Sequence, residues 1–234
     1  ANNQWDVESE LGLDPEQSSF RKAMRAAKGT VSIVDKKAVC FQRLWCCYEV
    51  YISIKQEGYE YDIYTSLSEG GACAVGITTS GPAEVDLHEN PLYPDDAKHA
   101  REASFPMSLM NKTLDIRLQE GQTHREEDRR RILNTIVRRK GRELDAEPLR
   151  EDPQYDALNS SLHGLVAMSG LRDALEVGST TVTKRMLAQL KRCDLPALEI
   201  SFDSCDEVTD ELVRKLVDTI TEKLTILSLD FSFC

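Results

Sequence analysis

Apolar positions along this chain switch repeatedly between a helical and an extended period. Residues 20–27 put Phe20, Met24 and Ala27 on one helical face, with Ser18 or Ser19 as the cap and Gly29 as the stop. Residues 30–34 (Thr-Val-Ser-Ile-Val) are rich in β-branched side chains and predict a short buried strand. Residues 39–54 return to helical spacing on an amphipathic pattern, apolar or aromatic at 41, 44, 45, 48, 51 and 52 with a gap at Glu49. Beyond Gly58, residues 59–65 alternate as a strand does, and residues 73–79 predict another. Helix, strand, helix, strand, strand is the order of a layered α/β domain.

The pattern then weakens. Residues 80–106 hold Pro82, Pro91 and Pro94 among many acids and predict a long surface connection. Residues 114–118 predict a strand. Thr123-His124-Arg125-Glu126 matches a capping box ahead of a helix that buries Ile132, Leu133, Ile136 and Val137. Gly141, Pro148, Pro153 and intervening acids make residues 141–154 a predicted linker, and helical segments fill 155–192. The chain then repeats itself. Leu198-Glu199-Ile200-Ser201-Phe202-Asp203-Ser204-Cys205 returns as Leu227-Ser228-Leu229-Asp230-Phe231-Ser232-Phe233-Cys234, 29 residues later, with a predicted helix between. A strand and a helix recurring at that period resemble leucine-rich repeats, specifically the cysteine-containing kind, in which about three units are needed for a stable stack.

Composition narrows the function classes. The 234 residues are 41% hydrophobic and 29% charged, an ordinary globular balance. A net charge of −11 argues against general nucleic-acid binding, which needs surplus Lys and Arg. The one basic run, from Arg125 to Arg142, reads as a solvated helix face balanced by Glu126, Glu127 and Asp128. No apolar run approaches the roughly 20 residues of a membrane span, and the polar start, Ala1-Asn2-Asn3-Gln4, is unlike a secretory signal. The expectation is therefore a cytoplasmic chain with no membrane partner whose sequence begins inside a longer protein. The seven cysteines contain no C-x-x-C spacing, which argues against a disulfide framework or structural zinc and for a reducing compartment.

Glu49 interrupts the apolar pattern beside Trp45, Tyr48, Val50 and Ile52. A carboxylate among large aromatics can have a raised pKa and act as an acid, a base or an ion-pair partner; otherwise it is a surface Glu whose neighbours make the core. The run from Phe41 to Val50, with Trp45-Cys46-Cys47-Tyr48-Glu49 at its centre, resembles the third-helix motif of TIR domains, in which Trp-Cys-x-x-Glu follows a strand and a short loop. Residues 20–24 resemble the second helix of that family and residues 30–35 its third strand. With Ala1-Asn2-Asn3-Gln4-Trp5, the likeness is to TIR-like domains of the algal and dinoflagellate type.

The resemblance implies a partial TIR (flavodoxin-like) parallel sheet flanked by helices over residues 1–140, a helical linker over 141–194, and the start of a leucine-rich repeat solenoid over 195–234. It further implies that the family's first strand, first helix and most of its second strand precede Ala1, which would leave the strand at 30–34 with an unpaired edge. In enzymatic TIR domains the matching glutamate supports cleavage of the nicotinamide–ribose bond of NAD. By that likeness Glu49 is the catalytic residue, Arg43, Trp45 and Trp5 are substrate-binding, NAD is a substrate rather than a cofactor, and no metal takes part. Trp45 and Cys46 are expected chiefly to pack, since no histidine sits in a partner motif that would make Cys46 a nucleophile. The truncated fragment is expected to be inactive. The alternative is a non-catalytic scaffold that self-associates through its TIR-like part and binds a protein through its repeats. An F-box-type ubiquitin-ligase adaptor would need a helical motif that residues 155–192 lack.

Overall fold

The computed structural model describes residues 14–66, 74–78, 81–193, 197–202, 205–220, 222 and 224–231. A 3₁₀ turn, Pro15–Gln17, leads into helix α1 (Ser19–Ala26), whose first turn is capped by the Ser18 hydroxyl accepting from the Arg21 N–H. Strand β1 (Gly29–Ile33) follows, then a 3₁₀ turn (Val39–Gln42), helix α2 (Leu44–Lys55) and strand β2 (Glu60–Ser66). β1 and β2 pair in parallel, Gly29 opposite Glu60 and Ile33 opposite Tyr64, so α2 is the crossover that parallel neighbours require. Strand β3 (Ala74–Ile77) then pairs antiparallel with β2. The architecture is thus mixed α/β, and the sheet, ordered β1-β2-β3, is mixed rather than parallel as expected.

Gly29 belongs to β1 rather than to the end of α1, and a different constraint explains it. A Cβ there would stand 2.6 Å from the Glu60 carbonyl oxygen, so only glycine allows β1 and β2 to approach this closely. α2 has the expected helical period, but it is not amphipathic. Leu44, Cys47, Tyr48, Val50, Ile52 and Ser53 point around most of its circumference and all are buried. One side meets Tyr61, Ile63 and Val75 of the sheet, and the same apolar cluster continues through Ile132, Leu133, Leu162 and Val166 to Leu212 and Leu216.

The middle of the chain differs most from the sequence expectation. Residues 80–106 contain two helices, α3 (Glu84–Glu89) and α4 (Pro94–Ala103). A buried ion pair holds them together: Arg101 donates to both Asp86 oxygens at 2.7 Å, and also to the Gly76 carbonyl and the Thr78 hydroxyl at the end of β3. After α5 (Met107–Thr113), residues 114–118 form turns instead of a strand. The helix Pro153–Glu176 supplies the competing partners. Asn159 accepts from the Leu118 N–H and donates to Gln119, while His163 Nε2 meets the Ile116 carbonyl at 2.9 Å.

Helix α6 (Glu126–Ile136) begins later than the proposed capping box allows. Its cap is Arg125, whose side chain makes no capping hydrogen bond, so Glu126, Glu127 and Asp128 act on the first turn through their charge. The acidic stretch after it is not loose at its start. Its 3₁₀ turn, Gly141–Asp145, is tied to α6 by Asn134 donating to the Leu144 and Ala146 carbonyls and by an Arg131–Asp145 ion pair at 2.8 Å. Helices α7 (Pro153–Glu176) and α8 (Thr180–Arg192) then occupy the helical region read from the sequence.

Strands β4 (Ala197–Ser201) and β5 (Ile226–Asp230) flank helix α9 (Asp210–Val217) and pair in parallel. Leu198 lies opposite Leu227 and Ile200 opposite Leu229, so the pairing register equals the spacing of the sequence repeat. The Phe202 and Phe231 rings stack at 5.3 Å. Cys205 is buried, whereas its counterpart Cys234 lies outside the described residues.

Replacing Gly29 by Ala should force β1 and β2 apart. Urea denaturation is expected to lose about 1–3 kcal/mol of stability, and an unchanged midpoint would show that the strands have room to spare.

Candidate functional site

The candidate site is the N-terminal half of α2. Arg43 caps this helix, is exposed, and bridges to Gln122 through paired backbone bonds: Leu44 N–H to the Gln122 carbonyl at 2.8 Å and Gln122 N–H to the Gln42 carbonyl at 2.7 Å. Two helical turns on, Glu49 is half-buried. Burial raises its pKa, and the Arg43 guanidinium opposes that shift. Cys46 lies between them in sequence; its thiol is pushed up first by burial and then by the Glu49 charge. Arg43, Cys46 and Glu49 therefore form one electrostatically coupled group at i, i+3 and i+6 spacing.

Trp45 lies one helical turn before Glu49 on the same face, but its ring is committed to packing. Its ring lies 5.8 Å from Phe20 and meets Tyr48 edge-on at 6.1 Å, and Tyr48 stacks on Tyr51 at 6.2 Å. Its indole N–H donates to Asp128 Oδ2 at 3.2 Å, tying α2 to α6. The Tyr48 hydroxyl donates to Glu16 Oε1 at 2.8 Å. Although burial acts to raise the Glu16 pKa, that hydrogen bond and the Arg21 and Arg25 guanidiniums hold it below the usual range. Trp45 is thus engaged in packing, as half of its sequence reading proposed, with its polar atom already used. Trp5 lies outside the described residues.

The structure therefore places Glu49 within the electrostatic influence of Arg43 and commits the neighbouring Trp45 to packing. The neighbouring thiols are poor nucleophiles. Burial raises Cys40 to about 12 and pushes Cys47 higher still, while the Cys47 thiol rests on the Phe41 carbonyl at 3.2 Å. Among the described residues no three His, Cys, Asp or Glu side chains are grouped to hold a metal. No described helix is long and apolar enough to cross a membrane.

Two polar features escape the sequence pattern because their burial is set by tertiary packing. One is the Arg101–Asp86 pair, joined by Glu102, which accepts from the Thr78 N–H at 2.9 Å and pairs with Lys98 at 2.9 Å. The other is Asp173 on α7. It is 9% exposed, and its Oδ2 finds no hydrogen-bond partner among the described residues. Burial, with Glu176 and Glu102 adding repulsion, raises its pKa from 3.8 to about 6. With this geometry established, comparison with known proteins adds no assignment: no family model matches the chain, and neither a curated protein nor a solved structure matches it.

Two titrations test these environments. The Glu49 carboxyl, followed by carbon NMR, should titrate above an ordinary glutamate and higher still in Arg43→Ala; no further rise in that variant would deny the coupling. Asp173 binds its proton more tightly folded than unfolded, so the stability of its protonated form is complete below about pH 4 and is lost as pH rises through about 6. Asp173→Asn should therefore gain about 2–3 kcal/mol at pH 8 relative to pH 4, and equal gains at both pH values would contradict it.

Proposed function

We propose that this chain is part of a cytoplasmic interaction scaffold, in which a TIR-like α/β body is joined to leucine-rich-repeat units that bind a protein partner. The observation that carries this reading is the β4–β5 pairing, whose register coincides with the 29-residue spacing of the sequence repeat. In such arrays each unit covers its neighbour, and the outward positions of the parallel strands make a binding surface. Ser228 of β5 is exposed and occupies one of those positions. The order β1, α2, β2, with parallel pairing across the helix, suits the strand–helix–strand stretch of the TIR resemblance.

Glu49 supports a second reading, NAD glycohydrolase chemistry in the intact parent. A half-buried carboxyl with a raised pKa can stabilise developing positive charge on a ribosyl centre once ionised. Against it, Trp45 has its ring packed on Phe20 and Tyr48 and its N–H on Asp128, so it supplies little of a substrate wall.

The two readings separate in one experiment. The intact parent protein and its Glu49→Gln variant are incubated with NAD, and a photo-crosslinker is placed at position 228 in cells. The scaffold reading expects equal, background NAD loss and one discrete crosslinked partner that disappears when Leu227 and Leu229 are both changed to Asp. NAD loss that depends on Glu49 would replace it with the glycohydrolase reading.

A further inference from the structure

Helices α3 and α4 form a lobe held mainly by charge. Their buried residues are Asp86 on α3 and Ala97, Arg101 and Glu102 on α4. An alanine buries far less apolar area than a leucine or valine, so hydrophobic burial holds the lobe weakly. Its polar contacts lead in two directions. Arg101 and Glu102 reach the end of β3, where Arg101 donates to the Gly76 carbonyl and Glu102 Oε1 accepts from the Thr78 N–H at 2.9 Å. On the other side α4 packs against α7, with the buried Glu102 near enough to Asp173 for their charges to repel. Asp173 is buried with no ion-pair partner among the described residues, and its Oδ2 accepts no hydrogen bond from them. Arg172, beside it on α7, pairs with Glu176 at 2.7 Å, and Lys98 of α4 is taken by Glu102 at 2.9 Å. The charges bearing on Asp173 are Glu176 and Arg172 from its own helix and Glu102 from α4. A carboxylate in that position is both desolvated and repelled, whereas a neutral carboxyl is neither.

We infer that Asp173 is a proton-operated latch: with a proton on its carboxyl α4 seats against α7, and when that proton leaves the α3–α4 lobe opens without the rest of the molecule unfolding. The lobe is the part that yields. Glu102 belongs to it and little apolar area holds it down, whereas α7 is fixed in the main core through Leu162, Leu165, Val166 and Leu171. The direction follows from proton binding. Asp173 in the closed lobe holds its proton to about pH 6, and an exposed aspartate holds one only to about 3.8, so opening increases as pH rises between those values. His99, half-buried on α4 near Lys98, Glu102 and Arg172, acts in the opposite sense. Burial lowers its pKa, so its protonation as pH falls favours the open lobe. The latch rests on neither the TIR resemblance nor the repeat, and its failure would leave the scaffold reading intact.

Amide hydrogen exchange of the full chain at about pH 5 and about pH 8, corrected for the intrinsic pH dependence of exchange, tests the latch. The amides of Ala100, Arg101 and Glu102 should exchange through an opening insensitive to low denaturant, faster than those of Leu165 and Val166 on α7. In His99→Gln, whose folding is checked by circular dichroism, that opening should be about tenfold more populated at the higher pH. The change should be smaller in wild type, where His99 opposes it. Adding Asp173→Asn to His99→Gln should abolish the dependence, and Asp173→Asn alone should make opening at about pH 8 at least about tenfold rarer than in wild type. Exchange of the α4 amides only through global unfolding would overturn the proposal. So would an opening in His99→Gln that ignores pH, which would mean that Arg172 turns from Glu176 to neutralise Asp173. A pH response that survives Asp173→Asn in the His99→Gln background would place the titrating group elsewhere and overturn it equally.

Discussion

The structure depends on one helix being apolar around most of its surface. α2 has the sheet on one side and helices α6 and α7 on others, and its buried residues do not fall on a single stripe. A helix of that kind is stable only when enclosed. Removing any wall would expose side chains of Leu, Tyr, Val and Ile size, each worth about 1.5–3 kcal/mol when buried. The parallel β1–β2 pair follows from the same enclosure, since α2 connects the strands while covering one of their faces.

Enclosure also dictates the polar chemistry. A side chain on α2 with a hydrogen-bonding group must find a partner in the surrounding layers or lose its contact with water. Trp45 finds Asp128, Tyr48 finds Glu16 and the Cys47 thiol finds the Phe41 carbonyl. Glu49 differs: its carboxyl is partly desolvated, and the compensating charge is Arg43 at the open end of the helix. Its raised pKa is a consequence of the helix being wrapped, which explains it without requiring catalysis.

Local periodicity made some of this legible in sequence. The helices at 20–27 and 39–54, the strands beside them and the 29-residue repeat all carry their signal in neighbouring residues, and the structure places elements at each. Residues 80–106 carry no such signal. Arg101 and Glu102 are charged yet buried, because Asp86 and Thr78 satisfy them from other elements and Lys98 from one turn earlier in the same helix. Residues 114–118 have a strand-like pattern but give their backbone groups to Asn159 and His163, about 40 residues away. At the candidate site, the sequence singled out Glu49 and its apolar neighbours. It had no means of showing that Asp128, 83 positions from Trp45, would take the indole N–H, or that α2 would be covered on more than one face.

The enclosure of α2 is tested most directly by native-state hydrogen exchange in increasing denaturant. If the helix is the element around which the other layers close, the amides of Tyr48, Val50 and Ile52 should exchange only through global unfolding, with the full denaturant dependence of the whole molecule. Exchange of those amides through a local opening that is insensitive to denaturant, while α7 stays protected, would contradict it.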